Sequence, residues 1–392
     1  MGGNPARKTF LPFARPCFDD KERAEVLDAL GSDWITTGPK TLKFEKELAA
    51  YVGSRYAVAL NSCTAALHLA LASYGIGEGD EVITSPFTFC STVAVILHMR
   101  AKPVLADVDE RTFNIDPEEV KKKLTRRTKA IIPVHFAGQP CEMDSLLRIA
   151  QQKGVKIIED AAHAIGAEYK GRKIGSIGDA TAFSFYATKN LTTGEGGMLV
   201  TDDEELSEKV RILSLHGMSR DAWKRYFAQG SWYYEITQLG YKCNMSDIMA
   251  AIGIHQLRKL DSFVAKREKY ASYLDRAIAR IGHVTVPYVS ADLRHARHIY
   301  PLLLNLDELS VDRTKFIEEL RSENIGTTVH FIPIHYHPYF RDALGYKKGD
   351  FPKTEALYER EISLPLYPSM TKKDLDDVVS AIGKIVGAYG KK

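Results

Sequence analysis

The sequence predicts an α/β protein: a large domain on a mostly parallel seven-stranded sheet, followed by a smaller α+β C-terminal domain. Three observations carry this. Seven short, nearly continuous apolar runs recur between about Arg55 and Asp203. Helical patterns lie between them. The alternation stops near Asn244, where a long helical stripe begins. Short apolar runs separated by helices are what strands buried on both faces look like.

In chain order, strands are predicted at Tyr56–Leu60, Glu81–Thr84, Pro103–Ala106, Ala130–His135, Val155–Glu159, Ala180–Phe185 and Gly197–Thr201. Helices are predicted between them, among others at Ala65–Ala72, Thr92–His98 and Met143–Gln152. Asp247–Gly282 reads as one long helix, with Ile248, Ala251, Ile252, Ile254 and Leu257 on its apolar stripe. A strand at Tyr300–Leu304, a helix at Asp312–Glu323, a strand at Thr327–Phe331 and a terminal helix follow. Thr371 and Asp374 form a capping-box pattern for that last helix, and Leu375, Val378, Val379, Ile382, Ile385 and Val386 repeat at helical spacing. The division expected is an N-terminal segment over 1–25, a large domain over 26–245, and a connecting helix with a small domain over 246–392.

Composition excludes several classes. The 392 residues carry 53 Lys and Arg against 50 Asp and Glu, a net charge of +3, so there is no basic footprint for a nucleic-acid polymer. The one dense basic run, Lys121–Lys123 with Arg126 and Arg127, follows Pro117-Glu118-Glu119 and reads as a solvated helix face. Five scattered cysteines with no CxxC pair suggest neither a disulfide framework nor a metal site. The first residues lack the apolar core of a signal peptide, and Ala6 stands where a myristoylation signal wants a hydroxyl. No apolar run approaches the roughly 18 residues of a membrane span. The expectation is a reduced, cytoplasmic protein.

Open α/β sheets place their sites at the carboxyl ends of strands. Four clusters stand there. Asn61-Ser62-Cys63-Thr64-Ala65-Ala66 opens a helix, whose free N–H groups and positive dipole end suit a phosphate; alone, it also reads as an ordinary helix cap. Phe89, within Thr88–Thr92, sits at a strand-to-helix junction and could stack on a flat ring or fill the core. Asp160 closes an apolar strand, where it could pair with a protonated heterocyclic nitrogen or cap a helix. His163 follows and could bond the same ring or be a satisfied core histidine. Lys189 lies among small and apolar neighbours after a strand, where burial would make it a nucleophile, and Ser184 upstream could contact an anion. A phosphate cradle, a stacking aromatic, an aspartate and a Schiff-base lysine, in that order, are the set that pyridoxal phosphate needs.

These residues resemble those of the DegT/DnrJ/EryC1/StrS family of sugar-nucleotide aminotransferases. The likeness runs from about Pro12 to Val386. It includes Thr36-Thr37-Gly38-Pro39, Cys63–His68, Glu159–His163, Ser184–Gly197, His216-Gly217, Gly240–Asp247 and Ser363-Leu364-Pro365-Leu366. It implies a pyridoxal 5'-phosphate enzyme of transferase fold type I, acting as a homodimer on L-glutamate and a nucleotide-linked keto sugar. Lys189 would be the catalytic lysine. Asp160 would pair with the pyridine nitrogen, Phe89 stack on the ring, and His163 stand near the ring hydroxyl, where many members have Gln. The Cys63 and Thr64 amides and the Ser184 hydroxyl would hold the phosphate, with Asn244 reaching it from the neighbouring subunit.

Where many members read Gly-Tyr-Asn-Tyr-Arg-Met, this chain has Gly240-Tyr241-Lys242-Cys243-Asn244-Met245. That variant, with Thr36–Pro39 and Thr327–Phe331, looks like the subgroup making 4-amino-4-deoxy-L-arabinose nucleotides and related 4-amino sugars. A UDP- or dTDP-linked 4-keto sugar is therefore the implied acceptor, with Arg220, Lys224 and Arg225 as candidate cations for its diphosphate. The alternatives are a 3-keto acceptor, a sugar dehydratase and a non-catalytic regulator. A dehydratase of similar fold typically has His in place of the lysine, so Lys189 argues against it. The chain carries no helix-turn-helix signal for a regulator.

Overall fold

A computed structural model of the chain describes residues 4–219 and 233–391. Strands β1 (Tyr56–Leu60), β2 (Glu81–Thr84), β3 (Lys102–Leu105), β4 (Thr128–Ile132) and β5 (Lys156–Asp160) come first. A small hairpin of β6 (Glu168–Tyr169) and β7 (Arg172–Lys173) precedes β8 (Ala180–Ser184) and β9 (Gly197–Thr201). All but the hairpin form one seven-stranded sheet in the order β1-β9-β8-β5-β4-β2-β3. Only β9 runs against its neighbours. Its link to β8 carries no helix, so the chain reverses where a parallel crossover would need one. The predicted mostly parallel sheet is therefore present.

Helices α1 (Asp20–Gly31), α2 (Pro39–Val52), α3 (Cys63–Ser73), α4 (Cys90–His98), α5 (Pro117–Lys123), α6 (Met143–Lys153) and α7 (Glu204–Leu213) belong to this part of the chain. Only the lysines of the basic run lie on α5, where Lys121 and Lys122 are exposed and pair with Glu118 and Glu119 at 2.5 and 2.6 Å; Arg126 and Arg127 follow in the turn before β4. All five cysteines are free.

Helix α8 (Asp247–Ile278) ties two cores together. Ala250, Ile254, Leu257, Leu260 and Val264 pack into the core beneath the large sheet. Further along, Ala271, Leu274 and Ile278 enter a second core. That core belongs to β10 (Val284–Thr285), β12 (Tyr300–Leu304), α9 (Arg313–Ser322), β13 (Glu361–Leu364) and α12 (Lys372–Tyr389). Between β10 and β12, β11 (Leu293–Arg294) pairs with β6; α10 (Pro338–Leu344) and α11 (Pro352–Arg360) precede β13. The predicted capping box forms at α12, with Thr371 and Asp374 each satisfying the other's backbone. The N-terminal segment packs on this smaller unit. Leu11 bonds the backbone of Asn324 and Gly326 (2.9 and 2.8 Å), and Arg7 pairs with Asp374 at 2.7 Å.

Helix α2 begins at Pro39 with no cap of its own. The Asp247 carboxylate supplies one from the start of α8, accepting from the Gly38, Lys40 and Thr41 amides at 2.8 to 3.0 Å. The two helices touch so closely that a Cβ on Gly253 would stand 2.6 Å from the Phe44 ring. Gly253→Val is expected to destabilise the fold by about 1–3 kcal/mol through overpacking. A lowered urea midpoint with unchanged far-UV circular dichroism is the measurement that checks it.

One predicted element is absent. Thr327–Phe331 is not a strand; only Thr328 bridges to Ser363. The His330 N–H is taken by the Glu361 side chain at 2.9 Å, so no ladder continues, and Pro333 brings no donor. Likewise the strand predicted over Ala130–His135 stops at Ile132, just before Pro133.

Candidate active site

The parallel strands end on one edge of the sheet, and a cavity of about 510 Å³ opens there. Seven of the eight residues expected from the sequence line it: Cys63, Thr64, Phe89, Asp160, His163, Ser184 and Lys189. They arrive from the β1–α3 turn, the start of α4, the end of β5, the end of β8 and the loop before β9.

Asn244 is the exception. It bridges to Leu60 at the end of β1, and its amide donates to the Thr37 hydroxyl at 2.6 Å. It does not line the cavity of its own chain. Arg220, Lys224 and Arg225 lie outside the described residues.

Asp160 is the buried floor. Its Oδ2 accepts from the Thr92 hydroxyl at 2.7 Å and its Oδ1 from the Ala162 N–H at 3.2 Å. The Thr92 hydroxyl in turn meets that of Thr88 at 2.8 Å. Burial pushes the Asp160 carboxyl above its ordinary range, while the Thr92 and Ala162 donors and the Lys189 charge pull it back. Burial acts on Lys189 in the opposite sense, pulling its ammonium down to about 8 against the pull of Cys63 and Asp160. A substantial neutral fraction near physiological pH follows, which an amine needs to act as a nucleophile or base.

The anion cradle is local. Ser62 caps α3, its Oγ accepting from Ala65 N–H (3.1 Å) and its carbonyl from Ala66 N–H (3.2 Å). The two amides nearest the helix start, Cys63 and Thr64, remain for a ligand. Gly197, at the start of β9, is needed for this packing, because a Cβ there would collide with the Ser62–Cys63 peptide. The Ser184 hydroxyl faces the same space.

A wall of rings completes the cavity. His163 lies nearly parallel to Phe331 (centroids 5.7 Å, 19°) and 4.6 Å from His298. Burial, then the Lys189 charge, holds His163 neutral, and its Nδ1 is buried without a partner among the described residues. Phe89 stands out from α4 with 59% of its surface exposed, leaving a ring face free. Beneath the floor, His135 Nδ1 accepts the Cys141 N–H (3.0 Å), so its Nε2 carries the proton toward Glu159 (2.8 Å). His135 N–H also bonds the Asp160 carbonyl at 3.1 Å, which fixes the end of β5.

This donor set fits pyridoxal phosphate. Free amides and a hydroxyl match the phosphate, a buried carboxylate matches the ring nitrogen, and an amine matches the aldehyde. The unpartnered His163 Nδ1 matches the ring oxygen. Among the described residues, no group of side chains could hold a metal ion, and no helix is long and apolar enough to cross a membrane.

Sequence reasoning named Thr92 without seeing its bond to Asp160, and missed His135, His298 and the shared role of His330 and Phe331. No periodicity marks such residues. His298, His330 and Phe331 line the cavity because loops distant in sequence converge there, while Thr92 and His135 support Asp160 from behind.

The family model described as DegT/DnrJ/EryC1/StrS aminotransferase family matches residues 16–383. Protein MJ1066 of Methanocaldococcus jannaschii is 59% identical over 97% of this chain and 98% of its own. The spore coat polysaccharide biosynthesis protein SpsC of Bacillus subtilis is 55% identical over 97% and 98%. The structure superposes on the PLP-form of Streptococcus pneumoniae Spr1654 with a TM-score of 0.90 and 35% identity, covering 97% of this chain and 99% of that one.

Proposed function

The chain belongs to the DegT/DnrJ/EryC1/StrS aminotransferase family, and from that premise we propose that it moves the amino group of L-glutamate onto a UDP- or dTDP-linked 4-keto sugar. It is a pyridoxal-phosphate-dependent aminotransferase of the sugar-nucleotide type. The products proposed are a 4-amino sugar nucleotide and 2-oxoglutarate. The observation that carries this is the union, in one cavity, of a lysine made partly neutral by burial with a buried carboxylate and a free helix N-terminus. Support for a sugar comes from the polysaccharide role that SpsC bears in its name. Support for the 4-keto position comes from the Thr36–Pro39 and Gly240–Met245 motifs.

When bound, pyridoxal phosphate supplies an aldehyde for the amine and a ring that accepts electrons from the substrate carbon. The chain does the rest. Asp160 holds a proton on the ring nitrogen, with Thr92 holding Asp160. The Cys63 and Thr64 amides and the Ser184 hydroxyl hold the phosphate. Phe89 offers its ring face, and His163 bonds the ring oxygen. Lys189 Nζ takes a proton from the donor's α-carbon and returns it elsewhere, which a neutral amine can do and an ammonium cannot. Asn244, contributed by a second copy of the chain, completes the phosphate site, so activity would require a dimer. Arg220, Lys224 and Arg225 would meet the sugar's diphosphate.

The test uses the cofactor-loaded enzyme. L-Glutamate should convert its absorption spectrum to that of the amine form and release 2-oxoglutarate. A panel of UDP-, dTDP- and GDP-linked keto sugars should then restore the starting spectrum only for the true acceptor. No response to any amino donor would sink the proposal, and restoration by 3-keto sugars alone would move amination to C3.

A further inference from the structure

Behind the ring wall runs a chain of hydrogen bonds that the roles above leave unused. His330 lines the cavity, and its Nδ1 lies 2.8 Å from the Ser363 hydroxyl. That hydroxyl contacts Glu361 Oε1, while Glu361 Oε2 accepts the His330 N–H at 2.9 Å. Glu361 and Ser363 are both fully buried, two residues apart on β13, and therefore share one face of the strand. The ring is held by Phe13 (centroids 5.5 Å) and by the edge of Phe331 (5.0 Å).

We propose that Glu361 and Ser363 are positioning residues whose proton relay sets which tautomer His330 presents to the keto sugar. The inference rests on the proposed function, because it takes the cavity to be where the sugar carbonyl arrives.

The hydroxyl of Ser363 has one proton, so the relay has two consistent states. With Glu361 ionised, Ser363 donates to the carboxylate and accepts from His330 Nδ1–H, leaving Nε2 as a lone pair toward the cavity. With Glu361 protonated, the carboxyl donates to Ser363, Ser363 donates to Nδ1, and Nε2 carries the proton. A sugar carbonyl only accepts hydrogen bonds, so the second state is the one that receives it. Burial pushes the Glu361 carboxyl up to about 8, opposed by Ser363, the His330 N–H and the Arg313 charge on α9. Burial and then Lys189 hold His330 down at about 4, so the ring stays neutral while the relay changes state. His163 is the other imidazole facing it, 6.3 Å between centroids and also neutral.

The test is nitrogen NMR of the cofactor-loaded enzyme with labelled histidine, at pH values about two units either side of the Glu361 value, with His330→Gln to assign the signal. His330 should read as the Nε2–H tautomer at the lower pH and as Nδ1–H at the higher. In Glu361→Gln the His330 N–H holds the amide oxygen, which leaves the NH2 to donate to Ser363, so the Nε2–H form should persist throughout. Should that variant not fold, Ser363→Ala cuts the same chain and should leave the tautomer independent of pH. Over the same range the ratio of native to Glu361→Gln kcat/KM for the keto sugar, in which the titration of Lys189 common to both cancels, should fall about tenfold or more. A native His330 that keeps one tautomer, a tautomer switch that survives in Glu361→Gln, or a native-to-variant ratio that stays level overturns the relay. A tautomer switch seen in an enzyme that aminates no keto sugar would overturn the proposed function and leave the relay standing.

Discussion

Lys189→Ala is expected to lower kcat for amino transfer by about 10⁴-fold or more, because it removes both the amine that meets the cofactor and the base that moves the proton. The substitution should leave the fold intact. Among the described residues Lys189 forms no side-chain ion pair, and its burial disfavours its own charge. Borohydride should fix the cofactor to the native chain and not to the variant, with the modified peptide of the native protein containing Lys189. Lys189→Arg should be nearly as poor, since a guanidinium stays protonated where a neutral base is required. Single-turnover rates with L-glutamate measure the effect. Retention of a tenth of the native rate in Lys189→Ala would remove Lys189 from the centre of the chemistry.

Asp160→Asn is expected to cost about 10²–10³-fold in the same half-reaction while stabilising the cofactor-free protein. The two effects have one cause. A neutral amide cannot hold a proton on the ring nitrogen, so the ring accepts electrons poorly. In the cofactor-free protein the carboxyl of Asp160 is raised by burial. Its contribution to stability is fully present below the ordinary carboxylate value of 3.8 and is lost as pH rises through the raised one. At pH above that window the native protein carries a buried charge that the variant lacks. Cofactor-free Asp160→Asn should therefore unfold later than native, by on the order of 1 kcal/mol. Thermal melts of both proteins, with and without cofactor, test this. A cofactor-free variant no more stable than the native protein, yet fully active when loaded, would contradict both halves.

Much of the site was legible in the sequence because its chemistry sits at strand ends. Asp160 follows a run of apolar residues, and Ser62 caps the helix after β1. Such local signals survive without knowledge of what packs where. Local structure was also where the reading failed. Thr327–Phe331 has the β-branched and aromatic composition of a strand, yet a buried carboxylate captures its backbone. Composition reports a preference for extended backbone; it does not report which partner takes the N–H.

By itself, then, the sequence determined the alternation of strands and helices, the order of the cofactor-binding motifs and the lysine that follows β8. All of these are properties of short windows, set by apolar spacing and by the donors and acceptors that each residue carries. Only the tertiary structure decided that Asp247 caps a helix two hundred residues earlier, that Thr92 holds Asp160, and that His298, His330 and Phe331 wall the cavity. Those contacts join distant segments, and burial converts them into chemistry. A carboxyl driven up and an amine driven down are consequences of lost water, which no window of sequence contains.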